Sequence, residues 1–216
     1  MTGDGLYPVR VNRVVINLVA LVLVPAFALV HRMRRTGAEH IPRSGPVLFV
    51  SNHISVWDPP MVGTALRPRH LHYMAKRELF RNRLISWAMR NVGAFPVERG
   101  GADRAAIRTS RAILAGGHAL LMFPEGTRSV DGLPGRAWPG AGSLALEPDV
   151  VVVPVAIWGS QRRFGPVRVC IGAPLDFSDL PAGSRGTRAQ AAADRMMDAI
   201  AGLLARAGGP VREGVA

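Results

Sequence analysis

Cysteine is almost absent from this 216-residue chain, where Cys170 stands alone. A single thiol excludes an intrachain disulfide framework and suits a reducing compartment. Set in an apolar run between Val169 and Ile171, it reads as a small core residue. Lysine is as scarce, with Lys76 the only one among 27 basic residues. Aromatic residues make up 6% of the chain and acidic residues number 15, which leaves a formal net charge of +12 and a pI near 11.6. Such a surplus ordinarily points to nucleic acid. Here nearly all of it is arginine, in a chain also heavy in alanine, glycine and proline, so coding bias explains it as well as a basic surface does. Nucleic acid is therefore not expected as a partner. The six histidines lack ligand spacing with carboxylates or cysteines, and no metal site is expected. No repeat or linker divides the chain, whose length suits one domain with a substantial core.

One long hydrophobic run is present. Residues 14–30 are apolar except for Asn17 and are interrupted by Pro25, with Arg10 and Arg13 before them and His31, Arg32, Arg34 and Arg35 after. As a helix the run would reach about 26 Å, a little short of a hydrocarbon core. Arginines at both ends leave the positive-inside rule nothing to decide. Both clusters could meet anionic head groups, so residues 1–40 are expected to form a membrane-associated helix that either spans or lies in one leaflet. The small residues of Pro25-Ala26-Phe27-Ala28 also fit a signal cleavage site, and a core helix can be equally apolar.

Residues 41–216 alternate strand and helix patterns. Apolar runs at 47–50, 71–74, 119–123, 150–157 and 167–171 have strand length, most without alternation, as expected of a sheet covered on both faces. Helical periodicity intervenes at 79–89, where Phe80, Leu84, Trp87 and Ala88 share a face, and at 103–114, which Gly116-Gly117 terminates. A last segment, 187–206, brings Met196, Met197, Ile200, Leu203 and Leu204 onto one side. The fold class is α/β, a central mostly parallel or mixed sheet flanked by helices.

Chemistry concentrates where the first run ends. Asn52-His53-Ile54-Ser55-Val56-Trp57-Asp58 delivers an imidazole and a carboxylate onto a turn before Pro59-Pro60. A histidine whose second ring nitrogen bonds a carboxylate is held in one tautomer and can take a proton from a hydroxyl. A helix-capping aspartate beside a surface histidine has the same sequence.

Three further segments accompany it: Gly93-Ala94-Phe95-Pro96-Val97-Glu98-Arg99, Phe123-Pro124-Glu125-Gly126-Thr127-Arg128-Ser129, and Val152-Val153-Pro154-Val155-Ala156-Ile157. Together, in this order and with Ala75-Lys76-Arg77-Glu78-Leu79 between the first two, they resemble the glycerolipid acyltransferases, the family that includes 1-acyl-glycerol-3-phosphate acyltransferases. The resemblance covers about residues 41–175. It implies the glycerol-3-phosphate acyltransferase-like version of the fold and transfer of a fatty acyl group from acyl-CoA or acyl carrier protein to a lysophospholipid at the cytoplasmic face of a membrane, with no cofactor beyond the acyl donor.

On that reading His53 is the general base and Asp58 its orienter, which requires a turn or helix start between them. Ser55 invites a rival acyl-serine route, but two residues after the histidine it is awkwardly placed, and no nucleophile-elbow pattern surrounds it. Arg128 offers a fork for the acceptor's phosphate with Thr127 as an extra donor, and Gly126 shapes their loop. Glu125 suits orienting Arg128 or a loop amide, or bonding a glycerol hydroxyl. Lys76 and Arg99 are the other phosphate candidates. Phe95 and Pro96 are expected to set a loop.

Overall fold

The computed structural model describes residues 6, 7, 9, 11–98 and 103–211. In order, the elements are α1 (Arg13–Val30), β1 (Arg34–Thr36), β2 (Val47–Ser51), α2 (Asp58–Ala65), β3 (Leu71–Lys76), α3 (Arg83–Asn91), β4 (Ala94–Val97), α4 (Arg104–Ala115), β5 (Ala119–Met122), α5 (Pro139–Ala145), β6 (Val151–Trp158), β7 (Arg168–Ile171) and α6 (Arg185–Arg206). The strands form one seven-stranded sheet in the order β1-β7-β6-β2-β5-β3-β4. It is parallel except where β7 runs against β6, so the mixed α/β architecture expected from the sequence is present.

The central strand explains why the apolar runs do not alternate. Successive strand side chains point to opposite faces, and on β2 both faces are covered. Leu48 and Val50 pack with Leu120, Met122 and side chains of α4, α5 and α6. Val47 and Phe49 pack with Leu121, Val153 and the α2 residues Met61 and Val62. The right-handed rule for parallel crossovers puts α2 and α3 of β2-α2-β3-α3-β4, which steps one way across the sheet, on one face, where Met61 and Val62 of α2 pack. The return through β4-α4-β5-α5-β6 puts α4 and α5 on the other, where α6 joins them.

Helix α6 begins at Ser184, whose hydroxyl accepts from the Thr187 amide at 3.1 Å, and its predicted stripe of Met196, Met197, Ile200, Leu203 and Leu204 is buried. It crosses α5 so closely that a Cβ on Gly142 would fall 1.7 Å from the Ala189 carbonyl oxygen. Only a glycine allows that approach.

Several elements differ from expectation. Phe95 and Pro96 do not set a loop. They lie in β4, where the sheet edge tolerates a residue with no N–H to donate, and Phe95 is fully buried. The helix expected over 79–89 divides into a 3₁₀ turn at Arg77–Phe80 and α3, which Asn82 caps by accepting from the Leu84 and Ile85 amides. Helices α2 and α5 are short and rich in Pro, Gly and Ala, and β1 is a polar edge strand, so none announces itself by periodicity. Because β1 pairs with β7, the sheet starts before residue 41.

Helix α1 is N-capped by Asn12, whose side chain accepts from the Val14 and Val15 amides at 3.1 and 3.3 Å. Its buried residues are Ala20 and Phe27, while Val14, Leu18, Leu21 and Leu29 are exposed. It is long and apolar enough to cross a membrane by length and composition, yet it is tied to the domain along its length. The Asn12 amide donates to the Asn91 carbonyl at 2.9 Å, Arg67 Nη2 reaches Asn17 Oδ1 at 3.3 Å, and the Phe27 ring meets Trp57 edge-on at 6.4 Å.

Candidate active site

The carboxyl ends of parallel strands, where α/β sheets commonly bind ligands, carry almost every residue singled out above. His53 follows β2, Lys76 ends β3 and Glu125 follows β5, and Ser160, which the sequence did not single out, joins them after β6. The local chain explains the first of these. Asn52 extends the end of β2 by a two-way bridge to β6: its Nδ2 donates to the Ile157 carbonyl and its Oδ1 accepts from the Ile157 amide, both at 2.9 Å. The chain then turns, and Asp58 opens α2.

That helix start brings the pair together as the sequence required. His53 Nδ1 lies 2.8 Å from Asp58 Oδ2, with Asp58 completely buried and His53 only 6% exposed. The same carboxylate oxygen accepts from the Ile54 and Ser55 amides at 2.6 and 2.7 Å, and Oδ1 accepts the Ser160 hydroxyl at 2.5 Å. A buried carboxylate needs such donors. With Nδ1–H donating to Asp58, Nε2 is the basic nitrogen, and it has no hydrogen-bond partner among the described residues. The imidazole is held flat by Phe123, whose ring stacks on it at 4.2 Å between centroids and 21° between planes.

Glu125 is also buried, and it does not pair with Arg128. Its Oε1 accepts from the His53 amide at 3.3 Å and its Oε2 from the Gly135 amide at 2.9 Å. Of the roles left open for it, the structure shows the orienting of loop amides. Burial pushes the Glu125 carboxyl above its ordinary range, while the amides of Gly135 and His53 pull it down. Gly126 adopts a positive φ of 68°, with the Trp138 indole close above it, and the Trp138 Nε1 donates to the Glu125 carbonyl at 3.2 Å. The loop returns to the histidine through Ser129, whose amide donates to the His53 carbonyl at 2.7 Å.

Thr127 and Arg128 are exposed beside that contact. Lys76 is exposed opposite Val97 in the β3–β4 register and forms an ion pair with Glu78 at 3.3 Å. Arg99, just beyond β4, lies outside the described residues. Ser55 does not meet His53: its hydroxyl oxygen accepts from the Trp57 amide at 3.2 Å and shapes the turn.

Sequence reading missed Asn52, Phe123, Trp138 and Ser160. For Ser160 one signal existed, a Gly159-Ser160 pair directly after a long apolar strand. Gly159 has φ 97°, and a Cβ there would sit 2.2 Å from the Pro166 carbonyl oxygen. Among the described residues no cluster of His, Cys, Asp or Glu could hold a metal ion.

The arrangement offers a buried imidazole held by a carboxylate, beside an exposed loop that carries Arg128, suited to deprotonating a hydroxyl on an anionic substrate. Comparison with known proteins gives it a family context. The family model described as Acyltransferase matches residues 32–158, more than half of the chain. The chain is 31% identical over 155 residues to the 1-acyl-sn-glycerol-3-phosphate acyltransferase of Bacillus subtilis, covering 68% of this chain and 77% of that one. It is 39% identical over 122 residues to the lyso-ornithine lipid O-acyltransferase of Pseudomonas aeruginosa, covering 56% of this chain and 45% of the relative. The crystal structure of the 1-acyl-sn-glycerophosphate acyltransferase PlsC of Thermotoga maritima matches with a TM-score of 0.66 at 24% identity, over 85% of this chain and 78% of that one. That match establishes a shared fold.

Proposed function

This chain belongs to the acyltransferase family, and from that premise we propose that it moves a fatty acyl group from acyl-CoA or acyl carrier protein to the free hydroxyl of 1-acyl-sn-glycerol-3-phosphate, giving phosphatidic acid. The observation that carries the reading is the His53 Nδ1 to Asp58 contact of 2.8 Å, which leaves Nε2 open beyond the carboxyl end of the central strand, next to the 125–128 loop.

The chemistry follows from these groups. Nε2 takes the acceptor's hydroxyl proton as the oxygen attacks the thioester carbonyl carbon. Asp58 stabilises the imidazolium that forms. The tetrahedral intermediate collapses by breaking the carbon–sulfur bond, and the imidazolium proton goes to the departing thiolate, so ester and thiol are the products. The oxyanion needs N–H donors. The Ile54 and Ser55 amides are committed to Asp58, and the Gly126 amide to the Phe123 carbonyl at 3.0 Å. The amides of Thr127 and Arg128 make no hydrogen bond to the described residues and are assigned that role. Arg128, Lys76 and Arg99 supply positive charge for the acceptor's phosphate. Work at the cytoplasmic face of a membrane suits an exposed apolar α1 and soluble acyl donors.

A second reading keeps the chemistry and changes the acceptor. The stretch with the highest identity quoted above comes from an enzyme named for a lyso-ornithine lipid, which favours that acceptor class as the alternative. One experiment separates them: the purified chain with each lysolipid and each donor type, free thiol followed in time and product lipid identified by mass spectrometry. Thiol release with lysophosphatidic acid, lost in His53→Ala, supports the first reading. Release with the ornithine lipid alone moves the function to the second, and release with neither sinks both.

A further inference from the structure

We propose that α3 is a second membrane-seating helix, which docks on an anionic phospholipid surface independently of α1. The helix is amphipathic in the inverted sense. In a soluble domain the crossover helix of a parallel sheet turns its apolar stripe inward. Here Leu84, Ile85, Trp87 and Ala88 all face out, with Leu84 74% and Trp87 58% exposed. The inward side carries Ser86, Met89 and Arg90, and Arg90 Nε donates to Ser86 Oγ at 3.3 Å. Asn82 caps the helix by accepting from the Leu84 and Ile85 amides, so the first turn that carries these exposed side chains is formed rather than frayed.

Charge selects the occupant. From Lys76 to Asn91 the chain carries five basic residues, Lys76, Arg77, Arg81, Arg83 and Arg90, against the single carboxylate of Glu78. An apolar face with a tryptophan and an arginine rim fits the boundary between acyl chains and anionic head groups. A symmetric second copy would set the same cationic rim against itself.

Position agrees. The crossovers place α3 on the sheet face of α2, the face along which α1 runs, and the end of α3 is joined to the start of α1 by the Val11–Val92 bridge and the Asn12 to Asn91 hydrogen bond. Val56 and Trp57, 63% and 52% exposed, continue this surface beside His53. Two separate helices and the turn after the catalytic histidine thus expose their apolar residues in one region.

The test uses the full chain with only Trp87 retained (Trp57→Phe, Trp138→Phe, Trp158→Phe), mixed with phosphatidylglycerol–phosphatidylethanolamine vesicles. Trp87 emission should shift to the blue and be quenched by brominated phospholipid. In the otherwise unaltered chain, Leu84→Ser/Ile85→Ser should weaken vesicle flotation about tenfold, since two apolar side chains no longer bury in the interface, while its far-ultraviolet circular dichroism is unchanged. Arg81→Glu/Arg83→Glu should weaken flotation on these vesicles and leave it unchanged on phosphatidylcholine. A Trp87 emission that stays water-like while the protein floats overturns the proposal. So does a Leu84→Ser/Ile85→Ser chain that floats normally but changes from dimer to monomer by light scattering, which would assign the face to a second copy.

Discussion

At the residue scale, Asp58 is the point on which the site turns, because one carboxylate holds the imidazole, two turn amides and the Ser160 hydroxyl. Asp58→Asn keeps the size but cannot accept all four bonds, and its amide would set the wrong histidine tautomer. The expected loss is about 10³- to 10⁴-fold in kcat, with acceptor KM little changed. Ser160→Ala removes one donor and should cost about tenfold in kcat, with a shift of the pH–rate profile that a purely structural change would not cause. Steady-state kinetics across pH on both variants, alongside thermal unfolding, checks this. An unaltered pH profile in Ser160→Ala would remove the hydroxyl from the site's chemistry. Glu125→Gln leaves one of two buried amides, Gly135 or His53, without its acceptor. A stability loss of about 1–3 kcal/mol is expected, together with reduced kcat. Urea titration measures the first. The sequence made the His53–Asp58 pair legible because its five-residue separation is local. Ser160, 102 residues from Asp58, and the Glu125 contact to the His53 amide, 72 residues away, are products of strand order, which no local pattern encodes.

At the scale of elements, legibility followed the burial of apolar side chains. The stripe of α6 and the apolar runs of β2, β5 and β6 could be read directly because their apolar residues all enter the core. Helix α5 could not, since its contribution is smallness rather than hydrophobicity: Gly142 lets the Ala189 backbone approach. Gly142→Ala should force α5 from α6 at a cost of about 3 kcal/mol, and because Trp138 directly precedes α5 and bonds the Glu125 carbonyl, activity should fall with it. Chemical denaturation and thiol-release rates on the same preparation test the link. Strand β3 carries a pH-dependent element. Burial lowers the pKa of His72, the Ala119 carbonyl bond opposes this, and neighbouring His118 adds to the lowering. As pH falls below the ordinary value near 6.5, the unfolded chain takes a proton that the folded chain refuses. Stability should therefore decline from there until the folded pKa is reached, by up to about 1.4 kcal/mol per pH unit from this one group. His72→Gln should flatten the urea-midpoint profile between pH 7.5 and 5.5, and an equal slope in both proteins would remove His72 as the cause.

For the whole molecule, the two sheet faces are covered differently. One is sealed by α4, α5 and α6, and the other is covered by α2 with α1 and α3 bearing exposed apolar side chains. The sequence revealed the apolar α1 but left open whether it spans or lies flat, because that depends on what its two ends touch. Its start is bonded to Asn91, Asn17 to Arg67, and Phe27 packs on Trp57. A helix of about 27 Å held towards both ends by the same domain cannot carry one end across a bilayer while that domain stays on one side and the contacts persist. We expect α1 to lie in a single leaflet, parallel to the surface. Fluorophores attached singly at Val14→Cys, Val22→Cys and Leu29→Cys, each in a Cys170→Ala background, should then be quenched to the same depth by brominated lipids in reconstituted vesicles. A spanning helix would put Val22 deep and the two ends shallow on opposite sides, with one end shielded from a membrane-impermeant thiol reagent. Equal depth at all three positions, with both ends reactive from one side, is the outcome that the tethered geometry requires, because α1 can enter the membrane only as far as the domain that grips it.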